Sequence, residues 1–62
     1  MNLNFYLYET VKVIKTEKTG MVIDVDFTNG KLLVEFPDGK REWYYECDIL
    51  IKEEEVKWHL LK

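Results

Sequence analysis

Met21-Val22-Ile23-Asp24-Val25-Asp26-Phe27, then Thr28-Asn29-Gly30, then Lys31-Leu32-Leu33-Val34-Glu35-Phe36, then Pro37-Asp38-Gly39, then Lys40-Arg41-Glu42-Trp43-Tyr44-Tyr45 is the stretch that decides the fold. Its first run alternates, with Met21, Ile23, Val25 and Phe27 set against Val22, Asp24 and Asp26, which predicts a half-buried strand with one wet face. Asn29-Gly30 is a strong hairpin signal because both residues tolerate positive φ. The partner strand then places Leu32, Val34 and Phe36 on the core side. Pro37-Asp38-Gly39 closes a second hairpin, with Pro presetting φ and Gly taking the left-handed position. The result is a three-stranded antiparallel meander.

The second turn leaves two registers open. A three-residue loop with a glycine bulge sets Phe36 against Lys40, Glu35 against Arg41, Leu33 against Trp43 and Leu32 against Tyr44. That makes a favourable Glu35–Arg41 pair and turns Leu33 and Trp43 outward. A two-residue Asp-Gly turn would instead bring Trp43 inside beside Val34, since a one-residue slip exchanges the faces. Pro at the first turn position favours the bulge.

Outward from the meander, Thr10–Ile14 reads as a strand with Val11 and Val13 on one face. Residues 15–20 form a polar loop ending in Gly20. Residues 1–8 read either as an edge strand or as an arm packed across the core. Glu46-Cys47-Asp48 reads as a short helical turn and Ile49-Leu50-Ile51 as a brief buried strand. The tail, residues 53–62, suits a helix, with acids in its first turn and a Glu53–Lys57 pair, although Val56, Trp58 and Leu60 also alternate as in a strand. The chain is expected to be a single domain with its core over about residues 8–52, an N-terminal arm (1–7) and the C-terminal tail.

Composition narrows the functions. The 62 residues contain no Ser, Gln or Ala, but fourteen Val, Ile and Thr and nine aromatic residues, a β-rich usage. No apolar run is long enough to span a membrane and no basic-plus-apolar leader is visible, so a cytoplasmic location is expected. One Cys and one His make neither a disulfide nor a zinc site within one chain. The Glu46-Cys47-Asp48 setting disfavours a thiolate, so a Cys47–His59 catalytic pair is set aside and Cys47 is expected to be a small buried hydrophobe. No acid–base pair, nucleophile constellation or phosphate loop is present, so a non-enzyme without cofactor is expected. Asp24 and Asp26 share one strand face, where they solubilise it rather than form a metal site.

Taken in order, Val11-Lys12-Val13, Thr19–Val25, Leu33–Gly39 and Asp48-Ile49-Leu50 resemble a small SH3-like β-barrel of the Tudor and KOW-type branches, over about residues 8–52. The resemblance implies a mainly β fold, a five-stranded antiparallel SH3-like barrel, here with a short C-terminal helix. It also implies a binding role, because members engage peptides, methylated side chains, nucleic acids or partner domains and rarely carry out chemistry. A Tudor-like cage would draw on Tyr8, Trp43, Tyr44 and Tyr45, but three consecutive aromatics alternate faces and do not line one cage.

Two functions follow as expectations. The first is a non-catalytic module that binds another protein through an exposed aromatic surface of Leu33, Trp43, Tyr45 and Trp58, residue types enriched at binding hot spots. The arm or the tail would bury that surface if either covered Trp43; left open, it also suits a homodimer. The second is nucleic-acid binding through Lys15, Lys18, Lys40 and Arg41, with aromatic stacking in support. A net charge of −3 disfavours it, because phosphate contacts supply most of such affinity.

Overall fold

The computed structural model describes residues 3–51. The expected tail helix, with Trp58 and His59, lies outside the described residues. Five strands follow one another: β1 (Thr10–Val13), β2 (Thr19–Asp26), β3 (Lys31–Glu35), β4 (Arg41–Tyr45) and β5 (Ile49–Ile51). They form one antiparallel sheet in the order β4-β3-β2-β1-β5. The mainly β, five-stranded architecture is therefore as expected. The sheet is not closed into a barrel by hydrogen bonds, and β4 and β5 remain its two edges. The only helical pieces among the described residues are two 3-10 turns, Leu3–Tyr6 and Glu46–Asp48.

The core is one small cluster on one face of the sheet. Val11 and Val13 of β1, Val22 of β2, Leu32 and Val34 of β3, Phe36, and Ile49 and Ile51 of β5 are all buried. The alternation in β1, β3 and β5 produces this directly, since every second residue points inward. Leu3 adds an N-terminal lid to the cluster, with Tyr6, Val25 and Tyr44 packed around it. Leu3–Tyr6 thus forms a 3-10 turn packed on the core rather than an edge strand. The Tyr6 hydroxyl donates to the Glu46 carboxylate at 2.7 Å, tying the first 3-10 turn to the second.

Strand β2 departs from its expected phase. Val22 is fully buried, while Met21 is 44% exposed and Phe27 60%. Val22 pairs with Val34 but Asp24 pairs with Leu33, so Ile23 is the extra residue of a β-bulge. The alternation across Met21–Phe27 is not one uninterrupted period: the bulge shifts its phase by one residue, which returns Val25 to the core side. Just before it, Gly20 lies under β3. A Cβ there would come within 2.6 Å of Val34 Cγ1 and 2.7 Å of the Glu35 carbonyl oxygen. The close approach of β2 and β3 at this point needs a residue without a side chain.

Both turns follow local chemistry. Between β2 and β3 the Asp26 carboxylate accepts from the backbone N–H of Thr28 (3.0 Å) and Asn29 (3.2 Å), and its second oxygen accepts from the Asn29 side-chain amide (2.8 Å). These bonds, the Asn29 side chain first, hold the Asp26 carboxyl below its usual range. Only Gly30 takes positive φ in this loop, so Asn29-Gly30 serves a wider turn than a two-residue hairpin. In the second turn Gly39 has φ of +89°, its N–H donates to the Phe36 carbonyl, and the Phe36 N–H donates to the Lys40 carbonyl. This is the glycine-bulge register, with Glu35 opposite Arg41, Leu33 opposite Trp43 and Leu32 opposite Tyr44.

Candidate functional site

Strand β4 separates two surfaces. On the outer side, away from the core, lie Arg41, Trp43 and Tyr45, each beside a β3 residue pointing the same way: Glu35, Leu33 and Lys31. Arg41 Nε donates to Glu35 Oε2 at 2.8 Å, and Lys31 Nζ sits 5.2 Å from the centre of the Tyr45 ring. Charged groups thus bracket a central Leu33–Trp43 pair. Trp43 is 46% exposed and Tyr45 51%, while Leu33 is half-buried beneath them. Met21, facing Glu35 from β2, extends the apolar area.

Three of the four residues assigned to an aromatic protein-binding surface, Leu33, Trp43 and Tyr45, are therefore brought together; the fourth, Trp58, is outside the described residues. Met21 was missed because its strand was phased inward, and a bulge leaves no mark in a run of apolar residues. Leu50, opposite Lys12 on β5, is also exposed, at the other side of the sheet.

On the inner side of β4, Glu42 and Tyr44 face an opening left by the unclosed sheet. A groove of about 550 Å³ runs between the β1–β2 loop and the second hairpin, lined by Lys18 and Thr19 on one side, Phe36, Pro37 and Lys40 on the other, and Tyr44 at its floor. Tyr44 meets Phe36 edge-to-face at 6.3 Å, and its hydroxyl donates to Glu42 Oε2 at 2.5 Å. That bond and partial burial push the Tyr44 phenol up to about 12. A second hollow of about 370 Å³ lies beyond Tyr44, against Val13, Ile14, Lys15, Cys47 and Asp48.

The four basic residues considered for nucleic acid do not converge. Lys18 and Lys40 flank the groove, Lys15 reaches only the second hollow, and Arg41 points to the outer face toward Glu35. Cys47 corrects an expectation: it is exposed, because the 3-10 turn that carries it stands outside the core. Among the described residues no group of three or more His, Cys, Asp or Glu side chains is placed to hold a metal ion. Asp26 is already occupied by its own turn, and Asp24 Oδ1 accepts from the Val25 N–H at 2.8 Å. The Tyr8 N–H donates to the Val22 carbonyl at 2.7 Å, which sets its backbone beside β2, and its side chain is exposed. No helix among the described residues is long and apolar enough to cross a membrane. No protein-family model, curated protein or solved structure matches the chain.

Proposed function

We propose that this protein is a non-catalytic binding module that engages another protein through the outer face of β3 and β4. One observation carries the reading: Trp43, at the centre of a strand, is half exposed and flanked by Leu33 and Tyr45 on the same face. Exposed side chains of this kind supply most of the energy at protein interfaces, where a central aromatic anchor is shielded by a polar rim. The Glu35–Arg41 and Lys31–Tyr45 pairs form such a rim. The setting is a small barrel-like scaffold of the SH3, Tudor and KOW type acting in the cytoplasm, where an exposed thiol such as Cys47 stays reduced. The test is affinity capture from source-cell lysate with the wild-type chain and with Trp43→Ala, each with and without nuclease. A nuclease-resistant protein held by the wild type and lost by Trp43→Ala is expected. Equal retention by both chains removes this surface from the function.

The groove supports a second reading. Lys18 and Lys40 face each other across an opening floored by Tyr44, an arrangement suited to stacking one base between phosphate contacts. Glu42 and Asp38 line the same groove and oppose an anion. Binding of single-stranded RNA or DNA that weakens steeply with salt and with Lys40→Glu would move the function to the groove.

A further inference from the structure

The free edge of β4, beside the outer face, is the place where a second copy of the chain can add, and this inference rests on the binding surface proposed above. Strand β4 is a sheet edge: β3 pairs with one side of it, and among the described residues no strand pairs with the other. The Phe36 N–H bonds to the Lys40 carbonyl, so the alternation of an antiparallel ladder turns the backbone groups of Glu42 and Tyr44 toward β3. Those of Arg41, Trp43 and Tyr45 then point to the free edge. One of them is already occupied, since the Tyr45 N–H donates to Asp48 Oδ2 at 3.2 Å. The Arg41 and Trp43 amides remain in the direction a further strand would take.

We propose that two copies join β4 to β4 antiparallel, with Trp43 on the two-fold axis. Side-chain charge selects this register. It sets Arg41 opposite Tyr45 of the second copy, a cation on an aromatic ring, and Glu42 opposite Tyr44 of the second copy, a carboxylate on a phenol already known to bond it. Sliding two residues one way puts Glu42 opposite Glu42, like charges face to face. Sliding the other way puts Arg41 opposite Cys47, past the end of the second copy's β4, and loses the Arg41–Tyr45 contact. In the favoured register the Arg41 N–H reaches the Tyr45 carbonyl of the second copy while the Tyr45 N–H stays with Asp48. In the favoured register the Leu33–Trp43 pair of one copy continues into the Trp43–Leu33 pair of the other. This makes one apolar stripe across the joined sheet, and the two Trp43 residues exchange both backbone hydrogen bonds. An isologous contact of this kind closes on itself as a dimer.

The experiment is sedimentation of the full chain up to about 1 mM at physiological ionic strength, where the net charge of each copy is largely screened. A dimer is expected, and a chemically synthesised chain with an N-methyl group on the Trp43 amide should dissociate at least about tenfold more readily, the scale of losing hydrogen bonds from both copies. In a Cys47→Val background, Trp43→Cys should cross-link to itself on mild oxidation. Arg41→Cys and Tyr45→Cys should do so only when mixed. A monomer throughout, or a dimer indifferent to the N-methyl group and without this cross-linking pattern, overturns the inference. The N-methyl chain keeps the Trp43 side chain. Failure here together with Trp43-dependent capture of a different protein would therefore leave the broader binding reading standing, whereas its own failure is read from Trp43→Ala in the capture assay.

Discussion

The hydroxyl of Tyr44 donates to Glu42 two residues away on the same face of β4, at the mouth of the groove. Ionising that phenol would break the bond and place two anions together, which is why its pKa is pushed up to about 12. The raised value means that this interaction contributes stability fully below the unfolded phenol's value near 10, and loses it as pH rises through about 12. An ultraviolet absorbance titration should therefore show one late-ionising tyrosine, and Glu42→Gln should bring it back toward 10 by removing the largest cause. A titration in which Glu42→Gln leaves the late phase in place would mean that burial, not the carboxylate, sets the value. The neighbouring Trp43 and Tyr45, one step along the strand in either direction, point the other way. A single strand thus serves two unlike surfaces, because successive side chains alternate.

At the scale of elements, the contact between β2 and β3 is the most demanding in the molecule. Gly20 passes so near Val34 and the Glu35 carbonyl that any Cβ must displace one of them, and the carbonyl belongs to the β3–β2 ladder. Gly20→Ala should lower stability by about 1–3 kcal/mol through overpacking, measured by urea denaturation. An unchanged midpoint would show that β3 yields without cost. The hairpins explain why part of this architecture was legible beforehand. Pro37 at the first turn position favours the glycine bulge over a two-residue turn, and the structure takes that register, pairing Glu35 with Arg41 and Leu33 with Trp43. The inward phase assigned to Met21 and Phe27 failed for the opposite reason. A bulge at Ile23 is a response to the bending of the sheet over its core, and nothing local in Val22-Ile23-Asp24 demands it.

For the molecule as a whole, size sets the terms. A chain this small draws only about 3–5 kcal/mol of net stability from one core. Leu32 is among the largest fully buried side chains, and truncating such a residue costs about 2–5 kcal/mol. Leu32→Ala should therefore abolish the cooperative thermal transition seen by circular dichroism, whereas Trp43→Ala, at a half-exposed site, should leave it nearly in place. A Leu32→Ala chain that still melts cooperatively near the wild-type temperature would show that stability comes from outside this cluster. The same arithmetic explains why function sits on surfaces. Nine buried residues fill the interior of the described chain, and the two hollows around Tyr44 are openings at a sheet edge rather than enclosed chambers.

What the sequence determined by itself was the set of strands, their antiparallel order through the meander and the core positions of β1 and β3. For the second hairpin it favoured one of two registers, and β5, read as buried throughout, leaves Leu50 exposed. The strands, their order and these core positions follow from period-two patterning and turn chemistry, which act over a few residues and need no knowledge of the rest of the chain. The tertiary structure alone decided that the sheet stays open between β4 and β5, that Ile23 bulges, that Cys47 stands in solvent, and that Lys18 and Lys40 share a groove while Arg41 turns to Glu35. Each of these depends on how strands distant in sequence curve around one small core, and that curvature is settled by packing between them rather than by any local run of residues.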